Sequence, residues 1–178
     1  MNVIETRLPG VVIIEPRVFG DERGFFLETF QAERYRKDAG IDLDFVQDNH
    51  SRSARGVLRG LHFQVKRPQG KLVRVVRGEV LDVAVDVNPE SPTCGQYESV
   101  ILSDKNHCQF WVPPGYAHGF VVLSEVADFE YKCTDYYDPA DEGGVIWNDP
   151  EIGIDWQIEN PVLSAKDQAL PTLKQLCG

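Results

Sequence analysis

Long apolar stretches are missing from this chain. No uninterrupted apolar run exceeds about five residues, against the ~20 that a membrane-spanning helix needs. Residues 1–10 lack the basic-then-apolar order of an export signal, so the sequence predicts a cytoplasmic protein with no membrane partner. Positive charge is also in short supply. The 18 Lys and Arg residues face 28 Asp and Glu, and the net charge of −10 argues against general affinity for nucleic acid. Cysteine is sparse: Cys94, Cys108, Cys133 and Cys177 show no C-x-x-C spacing and no companion His pairs, which excludes a zinc knuckle or a dithiol redox motif. A reducing compartment fits such usage, while an extracellular disulfide pair is the alternative that an even count leaves open. Internal repeats, low-complexity tracts and Gly/Ser linkers are absent, so 1–178 reads as a single domain. With 42% apolar and 26% charged residues the chain is neither disordered nor fibrous.

What is present is a succession of short alternating or apolar runs punctuated by Gly, Pro, Asn and Asp, the pattern of an all-β sandwich or barrel. Strands are predicted over 11–15, 24–29, 45–51, 57–63, 72–77, 79–87, 97–102, 109–112, 118–123 and 128–134. The clearest alternation runs over 79–87, where Leu81, Val83, Val85 and Val87 interleave with Val80, Asp82, Ala84 and Asp86, so one side is expected to face a core. The polar, turn-free stretch 31–37 predicts a short helix. A second helical turn is expected over 164–169, with Pro161 before it and Pro171 after it. From about Trp156 onward the alternation fades, and that segment is expected to pack back across the sheets.

Charge is distributed unevenly. Between Arg52 and Arg77 stand Arg52, Arg55, Arg59, Lys66, Arg67, Lys71, Arg74 and Arg77 with no acidic residue, so this stretch carries +8 and the remainder −18. Such a run suits a phosphate or diphosphate ligand, because guanidinium forks match phosphate oxygens; a solvated strand face is the plain alternative. Two segments within and beyond it carry a further signal. The first runs from Gly56 to His62-Phe63-Gln64, and the second is Pro113-Pro114-Gly115-Tyr116-Ala117-His118. Both resemble the paired motifs of the cupin superfamily, which implies a cupin-type jelly-roll β-barrel with short flanking helices. Where a metal-binding cupin continues H-x-H, however, this chain has Gln64; Pro68 and Gln69 stand near the expected Glu, and Val122 replaces the final Asn. Only His62 and His118 remain of a ligand set that needs three or four donors, so no metal is expected.

The runs 19–28, Gln47-Asp48-Asn49, 56–63, Gly70-Lys71, 113–120, Tyr131 and 164–167 follow the order and spacing of the RmlC-type family of dTDP-4-dehydrorhamnose 3,5-epimerases, a resemblance covering roughly 10–170. It implies a cofactor-free isomerase acting on a dTDP-linked 4-keto-6-deoxy sugar, in the cytoplasm and as a homodimer with strand exchange. It also implies roles: His62 as base, Asp167 as the carboxylate that orients it, Tyr131 as acid on the opposite face, and Lys71 as the cation beside the ketone oxygen. Phe19, Arg23, Glu28, Gln47, Asp48, Asn49, Arg59, Lys71, His118, Tyr137, Glu142 and Lys166 match positions that contact substrate, with Phe19 and Tyr137 suited to sandwiching thymine.

The residues themselves support part of this. Tyr131 shares strand parity with Phe129 and Cys133, and Lys71 with Val73 and Val75, so both are expected to face inward. An inward Lys needs a reason, and a developing enolate supplies one. Plain alternatives stand beside each: a helix-end cap for Asp167, a core phenol for Tyr131, a strand-end lysine for Lys71. His50 and His107 are read as structural. On a regular strand Arg59 and His62 would point to opposite faces; a bulge at Gly60 would reconcile them. A single-site epimerase, a non-catalytic sugar-binding jelly roll and a metal-dependent dioxygenase are the competing functions. The intact set of His62, Asp167, Tyr131 and Lys71 speaks against the second, and the missing ligands against the third.

Overall fold

The computed structural model describes residues 1–177; Gly178 and the side chain of Cys177, one of the four thiols read above, lie outside the described residues. Thirteen strands and three short helices follow in order: β1 Asn2–Glu5, β2 Val12–Glu15, β3 Val18–Asp21, β4 Gly24–Leu27, α1 Ala32–Ala39, β5 Gln47–Ala54, β6 Leu58–Gln64, β7 Lys71–Arg77, β8 Glu79–Asp86, β9 Tyr97–Ser103, β10 Gln109–Val112, β11 Tyr116–Val122, β12 Val126–Cys133, β13 Glu142–Gly144, α2 Ala165–Gln168 and α3 Leu173–Cys177. A six-stranded sheet ordered β1-β2-β10-β7-β12-β5 faces a five-stranded sheet ordered β13-β6-β11-β8-β9, and among the described residues β3 pairs only with β4. The all-β class expected from the runs and the jelly roll that the cupin resemblance implied are both present.

Three apolar layers hold the sheets. Between them lies the barrel interior, where Val73 and Val75 of β7, Phe110 of β10 and Phe129 of β12 meet Val80 and Ala84 of β8, Leu102 of β9 and Phe120 of β11. On the outer face of the six-stranded sheet, Tyr35 and Ile41 cover Ile14, Leu72 and Trp111. The Tyr35 hydroxyl lies 2.7 Å from Gln109 Oε1, so the helix is tied to the sheet by a buried polar contact as well as by area. Helix α1 begins where Gln31 accepts the Arg34 N–H and ends at Gly40, whose φ of 69° suits a residue without Cβ. It therefore runs two residues past the expected 37.

The outer face of the five-stranded sheet is covered by the chain after β13: Val145, Ile152, Trp156 and Leu173 pack on Leu58, Leu61, Leu81, Val83 and Val121. This is the packing-back expected of the C-terminal segment, begun about ten residues earlier. It also corrects the reading of 79–87. Both parity sets of β8 are buried, one in the barrel and one beneath this cover, so alternation there separates two cores rather than core from solvent. All ten expected strands form, 109–112 with its bounds unchanged and the other nine with shifted ends. Three were not expected: β1, β3 and β13, the last of which is Glu-Gly-Gly, held by register with β6 and not by propensity.

On the outer side of β12, Asp128 receives Arg52 Nε at 2.7 Å and Nη2 at 2.8 Å, and His50 Nε2 lies 3.3 Å away. The Arg52 hydrogen bonds, against opposing burial, hold its carboxyl down at about 2. A carboxyl lowered on folding stabilises fully above its unfolded value of about 4 and loses that contribution as pH falls through the folded value. Asp128→Asn should therefore lower the urea midpoint at pH 7, and the gap to the parent should close between about pH 4 and pH 2. A gap unchanged over that range would show that Asp128 does not carry the effect.

Candidate active site

The site forms where β6 runs beside β11. His62 lies opposite His118, yet Arg59 lies opposite Phe120, so β6 holds one residue more than β11 between the two pairings. That extra residue is a bulge at Gly60-Leu61, the irregularity that the Arg59 and His62 conflict demanded. Gly60 has a φ of 131°, and a Cβ there would stand 2.6 Å from Gly119 Cα. A Cβ on Gly119 would in turn stand 2.6 Å from the Arg59 carbonyl oxygen. Glycine on both strands is what lets the backbones approach and turns Arg59 and His62 toward one cavity.

Asp167 arrives from the far end of the chain. Val162 bridges Val57 in parallel, its N–H donating to the Gly56 carbonyl at 2.8 Å and its carbonyl accepting the Leu58 N–H at 2.9 Å. This seats the next turn, α2, beside β6. Ser164 caps α2 by accepting the Asp167 N–H at 3.1 Å, so Ser164 and not Asp167 is the N-cap, and the Asp167 carboxylate is turned to β6. Asp167 Oδ1 lies 2.7 Å from His62 Nε2, and Oδ2 accepts the Gly60 N–H at 3.4 Å. Burial pushes the Asp167 carboxyl up, but the His62 contact and the Gly60 amide outweigh it and leave the group below its ordinary value. Glu142 Oε1 stands 3.8 Å from the same ring nitrogen. With both carboxylates on the Nε2 side, Nδ1 is the nitrogen left to take a proton from a ligand.

Two adjoining cavities of about 540 and 300 Å³ share His62, Lys71, Tyr131, Tyr137 and Glu142. The larger also takes in Arg59, His118, Lys166 and Asp167, and the smaller Gln47 and Asn49. Tyr131 makes no hydrogen bond to a described residue through its hydroxyl; burial first, then the nearby Cys133, raises it to about 12, so it keeps its proton at neutral pH. Burial pushes the Lys71 ammonium below the usual lysine range, against the pull of Cys133, Asp82 and Glu142. Lys166 and Tyr137 both bond Glu142 Oε2, and burial, offset by these bonds and by His62, leaves that carboxyl lowered.

Four of the expected contact residues lie elsewhere. Asp48 points out of the barrel, because its parity is opposite to that of Gln47 and Asn49, and pairs with Lys132 at 3.0 Å. Phe19, Arg23 and Glu28 belong to the β3–β4 hairpin and its exit, where they meet Arg17, Asp21 and Arg34. They line neither cavity with His62. The basic run is similarly dispersed: Arg52, Arg67 and Arg74 are paired with Asp128, Asp135 and Glu130 on neighbouring elements, and only Arg59 and Lys71 line the cavity. Two polar residues at the barrel interior form a second His–carboxylate pair, His118 Nε2 to Asp82 Oδ1 at 2.8 Å. Asp82 was not singled out from the sequence, although a charge in the middle of the clearest alternating run was the available signal. Among the described residues no group of three or more His, Cys, Asp or Glu side chains is placed to hold a metal ion.

The chain is similar to known proteins over nearly its full length. The family model for dTDP-4-dehydrorhamnose 3,5-epimerase matches residues 5–175. The chain is 56% identical over 177 residues to the dTDP-4-dehydrorhamnose 3,5-epimerase of Salmonella typhimurium, covering 98% of this chain and 97% of that one. Its counterpart in Pseudomonas aeruginosa is 54% identical over 169 residues, covering 94% and 93%. The solved structure of a dTDP-6-deoxy-D-glucose-3,5-epimerase from Legionella pneumophila, in complex with dTDP-4-keto-L-rhamnose, superposes with a TM-score of 0.95 at 56% identity, covering 97% of this chain and 93% of that one.

The bulge makes a local prediction. Gly60→Ala places a Cβ against the β11 backbone at a positive φ, and should cost roughly 2 kcal/mol or more of stability. Stability comes from urea unfolding. Activity per folded molecule should fall with it, because Arg59 and His62 lose their common orientation; a variant with parental activity would remove the bulge from the account of the site.

Proposed function

The chain belongs to the dTDP-4-dehydrorhamnose 3,5-epimerase family, and from that membership we propose how its own residues perform the reaction. The enzyme inverts C3 and C5 of dTDP-4-dehydro-6-deoxy-D-glucose to give dTDP-4-dehydro-L-rhamnose. Both carbons flank one ketone, so each C–H is acidic, and removing either proton moves its electron pair onto the ketone oxygen as an enolate. No bond in the sugar skeleton breaks and no net oxidation occurs. What the reaction needs is a base on one face, an acid on the other and positive charge at the oxygen.

The observation that carries the assignment is the 2.7 Å contact between His62 and Asp167 beside a cavity that Tyr131 and Lys71 also line. In our reading His62 Nδ1 takes the proton, and Asp167 fixes the tautomer and stabilises the imidazolium that results. The Lys71 ammonium stabilises the enolate oxygen, a contribution that is large in a cavity shielded from water. Tyr131, whose phenol remains protonated at neutral pH, returns a proton to the opposite face at C5 and so sets the inverted configuration. Arg59 and His118 bind the diphosphate or the sugar, and Gln47, Asn49, Glu142 and Lys166 hold the remaining polar groups. The entire chain 1–178 acts as one domain, since β6 and α2, more than a hundred residues apart, build the dyad together.

Phe19, Arg23 and Glu28 complete the site from a second copy. The hairpin that carries them pairs with no other strand, and its Phe25 and Phe26 are 61% and 70% exposed. Exposed aromatics on a projecting hairpin suit a homodimer in which each hairpin reaches the other subunit's cavity, with Phe19 against the thymine opposite Tyr137. A cytoplasmic location suits the nucleotide-linked substrate and the unpaired thiols of Cys108 and Cys133.

In D2O the enzyme should incorporate deuterium at both C3 and C5, read by NMR of the recovered sugar. His62→Ala should abolish exchange at both carbons, a loss of about 10²–10⁴-fold or more in rate. Tyr131→Phe should retain exchange but block productive inversion at C5. Exchange at one carbon alone would reduce the activity to single epimerisation, and a Tyr131→Phe enzyme with parental turnover would remove Tyr131 as the acid. Gel filtration should give roughly twice the chain mass of 20.1 kDa; a single-chain mass would end the shared-site reading.

A further inference from the structure

The barrel interior holds one charged side chain that the reaction scheme leaves without a task. Asp82 lies in β8 between Val80 and Ala84, on the parity that faces the inner core, and is 0% exposed. Its Oδ1 meets His118 Nε2 at 2.8 Å, while Oδ2 is buried with no hydrogen-bond partner among the described residues. A buried carboxylate oxygen without a bonded partner is expensive, and its retention points to a charge nearby that it serves. Lys71 is that charge. It shares the inward parity of Val73 and Val75, its ammonium makes no hydrogen bond or ion pair to a described residue, and it lines the cavity beside His118.

We propose that Asp82 is a positioning residue for the epimerisation: one oxygen holds the His118 ring against the cavity, and the other supplies the negative charge that keeps the Lys71 ammonium protonated where the enolate forms. The other groups facing Lys71 are poorly placed for this task. Cys133 and Tyr131 of β12 are raised by burial and stay neutral near pH 7. Glu142 of β13 is engaged by Lys166 and Tyr137, and His62 of β6 by Asp167. Of these anionic oxygens Asp82 Oδ2 is the one that is fully buried without a hydrogen bond among the described residues, whereas Glu142 Oε1 stands 3.8 Å from His62 Nε2. Burial raises the Asp82 carboxyl and lowers the Lys71 ammonium, and each charge opposes the shift of the other, so the two titrate as a coupled pair.

The inference rests on the assignment of Lys71 to the ketone oxygen, and the test separates the two. Competitive acylation with peptide mass spectrometry, run across pH, reads the titration of Lys71 directly, while kcat and KM for the nucleotide sugar are followed over the same range. In Asp82→Asn the Lys71 midpoint should fall by about one pH unit or more, and the alkaline limb of kcat should fall with it, giving roughly tenfold lower kcat at pH 8 with a much smaller change in KM. In a Lys71→Arg background, where the guanidinium stays charged without help, the same substitution should leave the alkaline limb unmoved. An unmoved Lys71 midpoint in Asp82→Asn overturns the proposal. A lowered midpoint with an unmoved rate leaves the electrostatic pairing of Asp82 with Lys71 standing but overturns the role of both in the reaction. Should Asp82→Asn fail to fold, the parent enzyme decides: a Lys71 midpoint above pH 7 supports the pair, and one below pH 7 refutes it.

Discussion

Two glycines facing each other across β6 and β11 set the geometry on which the site depends. Gly60 and Gly119 bring their backbones closer than any Cβ permits, and the surplus residue in β6 absorbs the mismatch. Strand parity is thereby broken between Arg59 and His62, so a guanidinium and an imidazole that would have faced opposite ways share one cavity. The same irregularity leaves the Gly60 amide free of the ladder and directed at Asp167. The His62 imidazole, the Asp167 carboxylate and the Arg59 guanidinium thus depend on one local departure from regular pairing.

The rest of the fold keeps that arrangement rigid. The C-terminal segment covers the outer face of the five-stranded sheet with Val145, Trp156 and Leu173, and the Val57 and Val162 bridge anchors the approach to α2. Asp167 is positioned by packing that begins well before it in the chain. Because β8 is buried on both sides, its one inward charge in mid-strand is held without freedom to reorient, which is what an electrostatic role toward Lys71 requires.

Charge along the chain does not translate simply into charge at the site. The +8 stretch looks like an anion cradle, but β-pairing sets Arg52 against Asp128 and Arg74 against Glu130, so those charges are spent on the outer face of the sheet. Asp48 follows the same logic. Between Gln47 and Asn49, which face the cavity, it necessarily faces away and meets Lys132. The hairpin residues Phe19, Arg23 and Glu28 are separated from the cavity for a different reason: their strands pair with nothing else in the same chain.

Ten of the thirteen strands, the all-β class, the helical turn at 164–169 and the inward faces of Tyr131 and Lys71 were legible in the sequence, because period-2 alternation and turn residues act within a few positions of each other. The conflict between Arg59 and His62 was legible too, with Gly60 as its resolution. Two things were decided only by tertiary structure, the burial of both faces of β8 and the pairing of Asp82 with His118, while the meeting of His62 with Asp167, 105 residues away, was implied by the family resemblance and by no local pattern. Each is a contact between elements remote in sequence, and local pattern records which way a side chain points without recording what it will find there.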